Sequence, residues 1–447
     1  MEKEVIKSSF RDPSGYVYIE DGKVYRQINE SYYENYDLLM KSGLYEKLLE
    51  EKLIIPHKEM DFHVIKPDMT FISYPYEWSF SEYKDAALAT LKIEKIALQY
   101  GMNLKDASAY NIQFYKGRPV LIDTLSFEKY EEGSMWVAYK QYCQHFLAPL
   151  SLMSYTDLRL SCLMKNYIDG IPLDLASKLL PFKSRFNLGI LTNIHIHAKS
   201  QQQHQSDAKG VKVSISKFQR EALIDSLISV TTKLTPHVQS TEWENYYTFT
   251  NYDDKAFQDK KNFVSDLIDK VSPKFVWDLG GNIGVFSRIA SEKGINTLSF
   301  DIDPLAVEKS YLMLKEKNET NILPLILDLT NPTAAIGFAN EERENIEQRA
   351  KNVDLIMALA IIHHLAISNN LPLEKIADYF ARLSENLIIE FVGKEDSQVK
   401  ILLATREDIF PDYTVEGFEK AFSKYYNIVE KRPIENTERI LYLFKKI

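Results

Sequence analysis

Apolar and polar positions follow different patterns in the two halves of the chain. In the C-terminal half, five continuous apolar runs alternate with helical stretches, at 275–280, 297–303, 324–329, 353–360 and 386–392. Such runs are typical of strands buried on both faces of a parallel sheet. Two further runs, at 425–432 and 439–446, flank the turn-like sequence PIENTE and predict an antiparallel pair at the sheet edge. The pattern predicts an α/β fold with a Rossmann-like sheet of seven strands.

The N-terminal half has the mixed pattern of an α+β domain. Alternating residues over 16–28, with Asp21-Gly22 between them, predict a hairpin, and helical spacing occurs at 38–53 and 83–100. The polar run SQQQHQSDAKG at 200–210 is typical of a linker, and a helical pattern follows it. We therefore expect an N-terminal domain over 1–199, a linker with a connecting helix over 200–240, and the sheet domain over 241–447.

Composition excludes several classes of protein. The 447 residues are 45% apolar and 26% charged, as in ordinary globular proteins. The net charge of −9 argues against broad electrostatic binding to nucleic acid. Two cysteines cannot form a disulfide framework, and no apolar run is long enough to cross a bilayer. The residues after Met1 lack the apolar core of a secretory signal. We expect a cytoplasmic protein that does not associate with membranes; its oligomeric state stays open.

A glycine loop directly follows the first predicted strand of the sheet domain. The sequence DLGGNIG places Asp278 before Gly280, Gly281 and Gly284, with Asn282 between them. Glycines permit a tight turn from strand to helix and a close approach of the backbone to a ligand. A dinucleotide site would instead have the pattern G-x-G-x-x-G at a pyrophosphate. An acid before the glycines would repel phosphate but suits the ammonium of S-adenosylmethionine.

The next two strands also end near aspartate, which is usually depleted from strands. Asp301 follows Gly280 by 21 positions and is placed to accept ribose hydroxyls, and Asp328 is placed to meet an adenine amino group. The alternative is that these acids cap helices or form turns. Three acids in register favour the nucleoside interpretation.

At these residues the sequence resembles class I S-adenosylmethionine-dependent methyltransferases, over about 240–447. The segments RDPSG, YRQIN, LKDASAYN, IDTLSFE, IHHL and IEFVGKED resemble the bacterial family related to nodulation protein NoeA, which implies no particular substrate. The methyltransferase resemblance implies a set of cofactor-binding positions, namely Asp278, Gly280, Gly281, Asn282, Gly284, Asp301, Ile302, Asp328, Leu329 and Ala358.

Candidate catalytic residues lie at the ends of the fourth and fifth strands. His364, or its neighbour His363, is a candidate base for an acceptor that carries a proton, unless the pair only packs against the next helix. Glu390 is a second candidate, with a structural hydrogen bond as the alternative. The scattered histidines predict no metal site. Four aromatic residues before the glycine loop are candidates for a cofactor lid or for an interdomain core, namely Trp243, Tyr246, Tyr247 and Tyr252.

A second resemblance lies in the N-terminal half. Asp106, Asn111 and Asp123 follow the order of the catalytic and metal-binding residues of protein kinases and aminoglycoside-type phosphotransferases. The resemblance to a kinase-like fold extends over about 10–190. The hairpin lacks a glycine-rich phosphate loop, and Arg26 or Lys23 would have to replace the nucleotide-binding lysine. An inert domain that presents the acceptor is therefore favoured over phosphate transfer, and chance similarity is a third interpretation.

The expected function is methyl transfer from S-adenosylmethionine to an oxygen, nitrogen or carboxyl group of an unidentified acceptor. The acceptor is a small molecule, a peptide or a glycan. One alternative is a bifunctional enzyme whose N-terminal domain transfers phosphate from ATP. Another is a non-catalytic interaction protein with a vestigial cofactor fold.

Overall fold

The described residues form two compact units. The structure is a computed structural model that describes residues 3–60, 63–67, 71–199, 214–237, 254–404 and 406–447. The first unit combines Met1–Gln239 with Ala335–Arg343, and the second comprises Ser240–Ala334 and Glu344–Ile447. The segment Ala335–Arg343 belongs to the first unit although its position in the sequence lies within the predicted sheet domain.

The first unit begins with a five-stranded antiparallel sheet, ordered β1-β2-β3-β5-β4. Two small antiparallel sheets of two strands each, β6-β9 and β7-β8, follow it, and β7-β8 is a hairpin. The strands are β1 (Glu4–Val5), β2 (Gly15–Glu20), β3 (Lys23–Ile28), β4 (His57–Met60), β5 (Val64–Pro67), β6 (Met102–Leu104), β7 (Ile112–Tyr115), β8 (Arg118–Leu121) and β9 (Phe127–Lys129). The hairpin expected at 16–28 is β2-β3, and its turn residues Asp21 and Gly22 both have positive φ.

The described residues of the first unit also form α-helices. They are α1 (Tyr33–Lys41), α2 (Leu44–Glu50), α3 (Phe80–Gln99), α4 (Tyr139–Tyr142), α5 (Ala148–Tyr155), α6 (Leu173–Leu179), α7 (Leu188–Ile190) and α8 (Lys217–Lys233). The single helix expected over 38–53 is wrong, because Gly43 has a φ of +83° and separates α1 from α2. Apolar spacing continues across that break, so periodicity alone did not reveal it. The buried capping box of Ser79 and Glu82 fixes the start of α3.

The second unit contains a seven-stranded sheet ordered β12-β11-β10-β13-β14-β16-β15. Its strands are β10 (Phe275–Leu279), β11 (Asn296–Asp301), β12 (Ile322–Ile326), β13 (Leu355–Ala358), β14 (Asn386–Val392), β15 (Tyr426–Pro433) and β16 (Arg439–Lys446). The first five are parallel, and β16 joins β14 antiparallel. The predicted Rossmann-like sheet of seven strands is confirmed.

Helices pack on this sheet and leave its carboxyl edge for the site. They are α9 (Asp254–Val271), α10 (Ser287–Ser291), α11 (Pro304–Lys317), α12 (Ile346–Arg349), α13 (Leu373–Leu383), α14 (Ser397–Ala404) and α15 (Val415–Phe422). Val264 and Ile268 of α9 share one core cluster with Val276, Met357 and Ile388 from three strands. That burial fixes α9 against the sheet.

Candidate functional site

A cavity of about 430 Å³ lies in the second unit beside the loops that follow its parallel strands. In an open α/β sheet, ligands bind outside the carboxyl ends of the strands, where the strand order reverses. Here the order reverses between β10 and β13, and residues after both strands line the cavity. Of the predicted site residues, the lining includes Asp278, Gly280, Gly281, Asn282, Asp301, Ile302, Asp328, Leu329 and His364.

The glycine loop has no room for side chains at two positions. Gly280 has a φ of +78°, and a Cβ there would come within 2.2 Å of Ile361 Cγ2. A Cβ on Gly281 would lie 2.4 Å from Ser299 Oγ. The amides of both glycines donate to the carbonyl of Phe300 at 2.8 Å, which holds the loop against β11. The loop therefore presents bare backbone to the cavity.

Asp278 is a buried carboxylate in the cavity wall with one oxygen unsatisfied. Its side chain accepts a 2.6 Å hydrogen bond from Ser287 at Oδ2. Oδ1 has no hydrogen-bond partner among the described residues. Burial raises the pKa of Asp278 to about 6. An unpaired buried carboxylate oxygen costs free energy unless a ligand satisfies it, so this atom favours a donor or a cation in the cavity.

Asp301 ends β11 and organises the glycine loop. Its Oδ2 accepts from the amide of Asn282 at 2.7 Å, and its Oδ1 accepts from the amide of Asp303 at 2.9 Å. Burial raises the pKa of Asp301 to about 6. Asn282 itself has a φ of +50°, so this bond supports a left-handed residue. Each carboxylate oxygen has two acceptor sites, so the side chain retains capacity for hydroxyl donors.

Asp328 follows β12 by two residues and forms a turn. Its Oδ1 accepts from the amide and the hydroxyl of Thr330, at 2.8 and 2.7 Å. Asp328 therefore forms a turn, as the alternative interpretation predicted, and it also lines the cavity. Leu329 also lines the cavity, as does Ile302, whose side chain is exposed.

Gly284 and Ala358 support the site without lining it. Gly284 has a φ of +80°, and a Cβ there would lie 2.6 Å from Arg288 Nη1, so the position accepts glycine alone without rearrangement. Ala358 is the fully buried last residue of β13. The lid candidates Trp243, Tyr246, Tyr247 and Tyr252 lie outside the described residues.

The two histidines differ in their access to the cavity. His364 lines it, at the start of a π-helical turn over His364–Ser368. His363 is buried behind it and is not among the lining residues, and the ring centroids are 4.1 Å apart. Burial, with a contribution from Arg439, lowers the pKa of His364 to about 4. Its imidazole is therefore neutral at pH 7 and accepts hydrogen bonds.

Glu390 does not line the cavity. It is fully buried and accepts a 2.6 Å ion-paired hydrogen bond from Lys260, and Arg439 Nη1 lies 3.5 Å from its Oε1. Arg439 is in turn paired with Asp396 at 2.8 Å. Two cations and two anions thus form a buried, neutral network at the end of β14. The sequence made Glu390 a catalytic candidate, whereas the structure pairs it with Lys260 and Arg439.

Lys260 and Ala360 are lining residues that sequence reasoning missed. Lys260 occupies the apolar stripe of α9, between Ala256 and Val264, and a lysine on such a stripe was a detectable signal. Ala360 has a φ of +53°, a left-handed conformation that alanine rarely adopts. No sequence signal marks that strain, which arises where the chain turns from β13 into the histidine segment.

The kinase-like residues of the first unit lie close together. Asp106 accepts from Gln141 Nε2 at 2.7 Å, and a hydrogen bond from Asn111 holds the pKa of Asp106 down, against the larger upward effect of burial. Asp123 Oδ1 is ion-paired with Arg26 Nη1 at 2.5 Å. Its Oδ2 accepts from Ser126 at 2.8 Å. Protein side chains therefore occupy the carboxylate that the kinase resemblance assigns to a metal.

The described residues contain neither a cluster of metal ligands nor a membrane-spanning helix. No group of three or more potential metal ligands occurs among histidine, cysteine and acidic side chains of that part of the chain. No helix within the described ranges is long and apolar enough to cross a membrane.

The order of the sheet strands and the glycine loop after the first of them define a class I methyltransferase fold. No family model matches the chain. The chain is 32% identical to Nodulation protein NoeA of Rhizobium meliloti (strain 1021) over 461 aligned residues, which cover 99% of this chain and 96% of that protein. The chain therefore belongs to the NoeA family.

Some solved structures resemble parts of this chain at low sequence identity. WbdD, described as a bifunctional kinase-methyltransferase, matches over 48% of this chain and 45% of its own, at 15% identity and a TM-score of 0.31. The N-methyltransferase NodS from Bradyrhizobium japonicum WM9 matches over 43% of this chain and 98% of its own, at 13% identity and a TM-score of 0.31.

Proposed function

We propose that the protein transfers a methyl group from S-adenosylmethionine to an acceptor. The observation that carries this proposal is Asp278 Oδ1, a buried acceptor without a partner among the described residues, beside a glycine loop with no room for side chains. A ligand with an ammonium group satisfies that atom, and its adjoining chain fits against bare backbone. A pyrophosphate would be repelled by the three acids of the lining.

The residues of the cavity fit the other parts of this cofactor. Asp301 would take the ribose hydroxyls, and Asp328 would take the adenine amino group, next to the apolar side chains of Ile302 and Leu329. When bound, the cofactor supplies an electrophilic methyl group on a sulfonium. The protein's part is to align the acceptor with that group and to exclude water.

His364 is the lining residue best suited to receive a proton from the acceptor. It is neutral at pH 7 because burial lowers its pKa to about 4. Such an imidazole orients an acceptor hydroxyl or amine by accepting its hydrogen bond, and it is a weak base. His363 and Glu390 would act through their neighbours, since neither lines the cavity.

The first unit is proposed to present the acceptor, which is an oxygen, nitrogen or carboxyl group on a small molecule, peptide or glycan in the cytoplasm. Phosphate transfer from ATP is not proposed, because both oxygens of Asp123 already have partners within the chain, namely Arg26 and the amide of Leu125 at Oδ1 and Ser126 at Oδ2. The same proposal divides the chain into an N-terminal domain, a linker over 200–240 and a methyltransferase domain.

Calorimetry with S-adenosylhomocysteine, the product form of the cofactor, tests the proposal. We expect binding by the wild-type protein and a loss of about ten- to a hundredfold in Asp278→Asn, since a hydrogen bond to a charged group contributes about 1.5–3 kcal/mol. Asp303→Asn is the matched control: Asp303 is buried but does not line the cavity, and asparagine retains its helix cap. A wild-type protein that binds no S-adenosylhomocysteine would leave the vestigial interaction protein as the better interpretation.

A further inference from the structure

Three large apolar side chains project from one short segment of the first unit, residues 181–188, which we call the aromatic turn. Phe182 is 68% exposed, Phe186 77% and Leu188 75%. The rings of Phe182 and Phe186 meet edge to face with their centroids 5.6 Å apart, so they form one patch. Single exposed apolar residues are common, but a contiguous exposed patch indicates a binding surface.

The fold anchors the aromatic turn from inside. A short 3₁₀-helix covers Phe182–Phe186, and Ser184 in its middle is fully buried. Ser184 Oγ donates to the carbonyl of Pro181 at 2.8 Å and lies 2.9 Å from Nε2 of the buried His195. A small polar residue therefore faces inward and two phenylalanines face outward, the reverse of the usual burial preference. The exposure of the rings follows from these hydrogen bonds.

The sequence around the aromatic turn is positively charged, although the chain as a whole has a net charge of −9. Aspartate and glutamate make up 63 of the 447 residues, but none occurs over 175–206, where four lysine and arginine residues lie. Two of these, Lys183 and Arg185, are exposed between the phenylalanines, and neither forms an ion pair among the described residues. Arg185 Cζ lies 5.5 Å from the ring centroid of Phe182, so cation and apolar surface are adjacent.

An anionic lipid surface complements these features. Segments that bind at a membrane surface place apolar side chains at the boundary between head groups and acyl chains, with lysine and arginine beside them to attract anionic head groups. A stable protein interface takes about 20–30 residues on each side, many more than the aromatic turn offers. We expected no membrane association because the chain lacks a spanning run, but binding at the lipid surface needs no such run.

We propose that the aromatic turn docks the protein on an anionic lipid surface. Phe182, Phe186 and Leu188 enter the interfacial layer, and Lys183 and Arg185 lie at the anionic head groups. The net negative charge of the rest of the chain opposes approach by other faces, which favours this orientation. The inference does not depend on methyl transfer, because the aromatic turn belongs to the first unit and lines no part of the cavity.

Sedimentation of the full chain with lipid vesicles tests this proposal. Vesicles of phosphatidylcholine mixed with phosphatidylglycerol are compared with vesicles of phosphatidylcholine alone. One variant is Phe182→Ser/Phe186→Ser, and the other is Lys183→Gln/Arg185→Gln. All four side chains are exposed, so thermal unfolding of both variants should match that of the wild type.

Phe218→Ser is the matched control for the phenylalanine variant. Phe218 is also 77% exposed, but it lies at the other end of α8 from the contact with the aromatic turn. That contact is at Val230, which packs against Gly189, the residue after the turn. At 1.5 Å per residue, Phe218 is about 18 Å from Val230 along the helix.

We expect the wild-type protein to bind the anionic vesicles and to bind the neutral ones much more weakly. The phenylalanine variant should lose about ten- to a hundredfold in its partition onto anionic vesicles, because less apolar area leaves water. The charge variant should lose about tenfold at low salt, and Phe218→Ser should match the wild type.

Three results would overturn the proposal: no binding to either kind of vesicle, equal binding to both, or undiminished binding by the phenylalanine variant. Self-association that the phenylalanine variant loses, without binding to vesicles, would assign the aromatic turn to a protein interface instead.

Discussion

Two clusters of acidic residues in this chain have the spacing of known family motifs, but their carboxylates differ in whether the fold supplies hydrogen-bond partners. In the second unit, Asp278 retains a buried oxygen without a partner among the described residues, in the wall of a cavity. In the first unit, both oxygens of Asp123 have internal partners: Oδ1 pairs with Arg26 and accepts from the amide of Leu125, and Oδ2 accepts from Ser126. Motif spacing cannot distinguish these cases, because it does not report which atoms the fold itself has already paired.

The difference assigns separate roles to the two clusters. A buried polar group that waits for a ligand costs stability and marks a binding site. A group with internal partners contributes to the fold. We therefore expect changes in the first cluster to alter stability and changes around the cavity to alter ligand binding.

The largest effect is expected from Gly280→Ala. A left-handed residue other than glycine costs about 1–2 kcal/mol, and overpacking adds about 1–3 kcal/mol. The added Cβ would meet Ile361 Cγ2 at 2.2 Å, so the loop must shift and binding of S-adenosylhomocysteine should be lost. Calorimetry and thermal unfolding measure both effects.

Gly294→Ala is the control for that experiment. Gly294 also has a φ of +80°, but a Cβ there would meet nothing within 4 Å. The Gly294→Ala variant should lose only the stability that a left-handed alanine costs, and it should still bind S-adenosylhomocysteine. If the two variants bound the ligand equally well, close packing of the glycine loop would not be what shapes the cavity.

A smaller effect, on stability alone, is expected from Arg26→Met. Breaking a fully buried ion pair costs about 3–5 kcal/mol, and the partial exposure of this pair reduces the expected loss to roughly 1–3 kcal/mol. Chemical denaturation would measure the loss, and affinity for S-adenosylhomocysteine should stay unchanged. Lys41→Met, which removes an exposed partner of Asp37, should alter neither quantity measurably. Magnesium-dependent ATP binding by the wild-type protein would contradict the structural role of this pair.

The sheet was predictable because its strands are buried on both faces, so each reads as a continuous apolar run. The glycine loop and Asp301 were predictable because their chemistry depends on local sequence. Lys260, by contrast, reaches the cavity from a helix, and only its place on an apolar stripe could have identified it. Likewise, the pairing of Glu390 with Lys260 joins residues 130 positions apart, which no local pattern specifies.

The smallest expected effect comes from the ionisation of Asp278, and it tests the contrast between the two acidic clusters most specifically. Burial raises its pKa from 3.8 to about 6, so between these pH values the folded chain holds a proton that the unfolded chain has released. Its contribution to the free energy of unfolding is therefore greatest below about pH 4 and falls as the pH rises to about 6. Binding has the opposite dependence, because only the ionised carboxylate attracts the ligand's ammonium.

Affinity for S-adenosylhomocysteine should therefore rise about tenfold between pH 5 and pH 7 and then level off, because about one-tenth of a carboxyl group is ionised one pH unit below its pKa and about nine-tenths one unit above it. Asp278→Asn should flatten most of that rise, and calorimetry across the pH range measures it. Asp123, whose partners are internal, has no corresponding ligand to lose, so Asp123→Asn should leave the rise intact. A rise that persisted undiminished in Asp278→Asn would assign the titration to Asp301, whose pKa burial also raises to about 6.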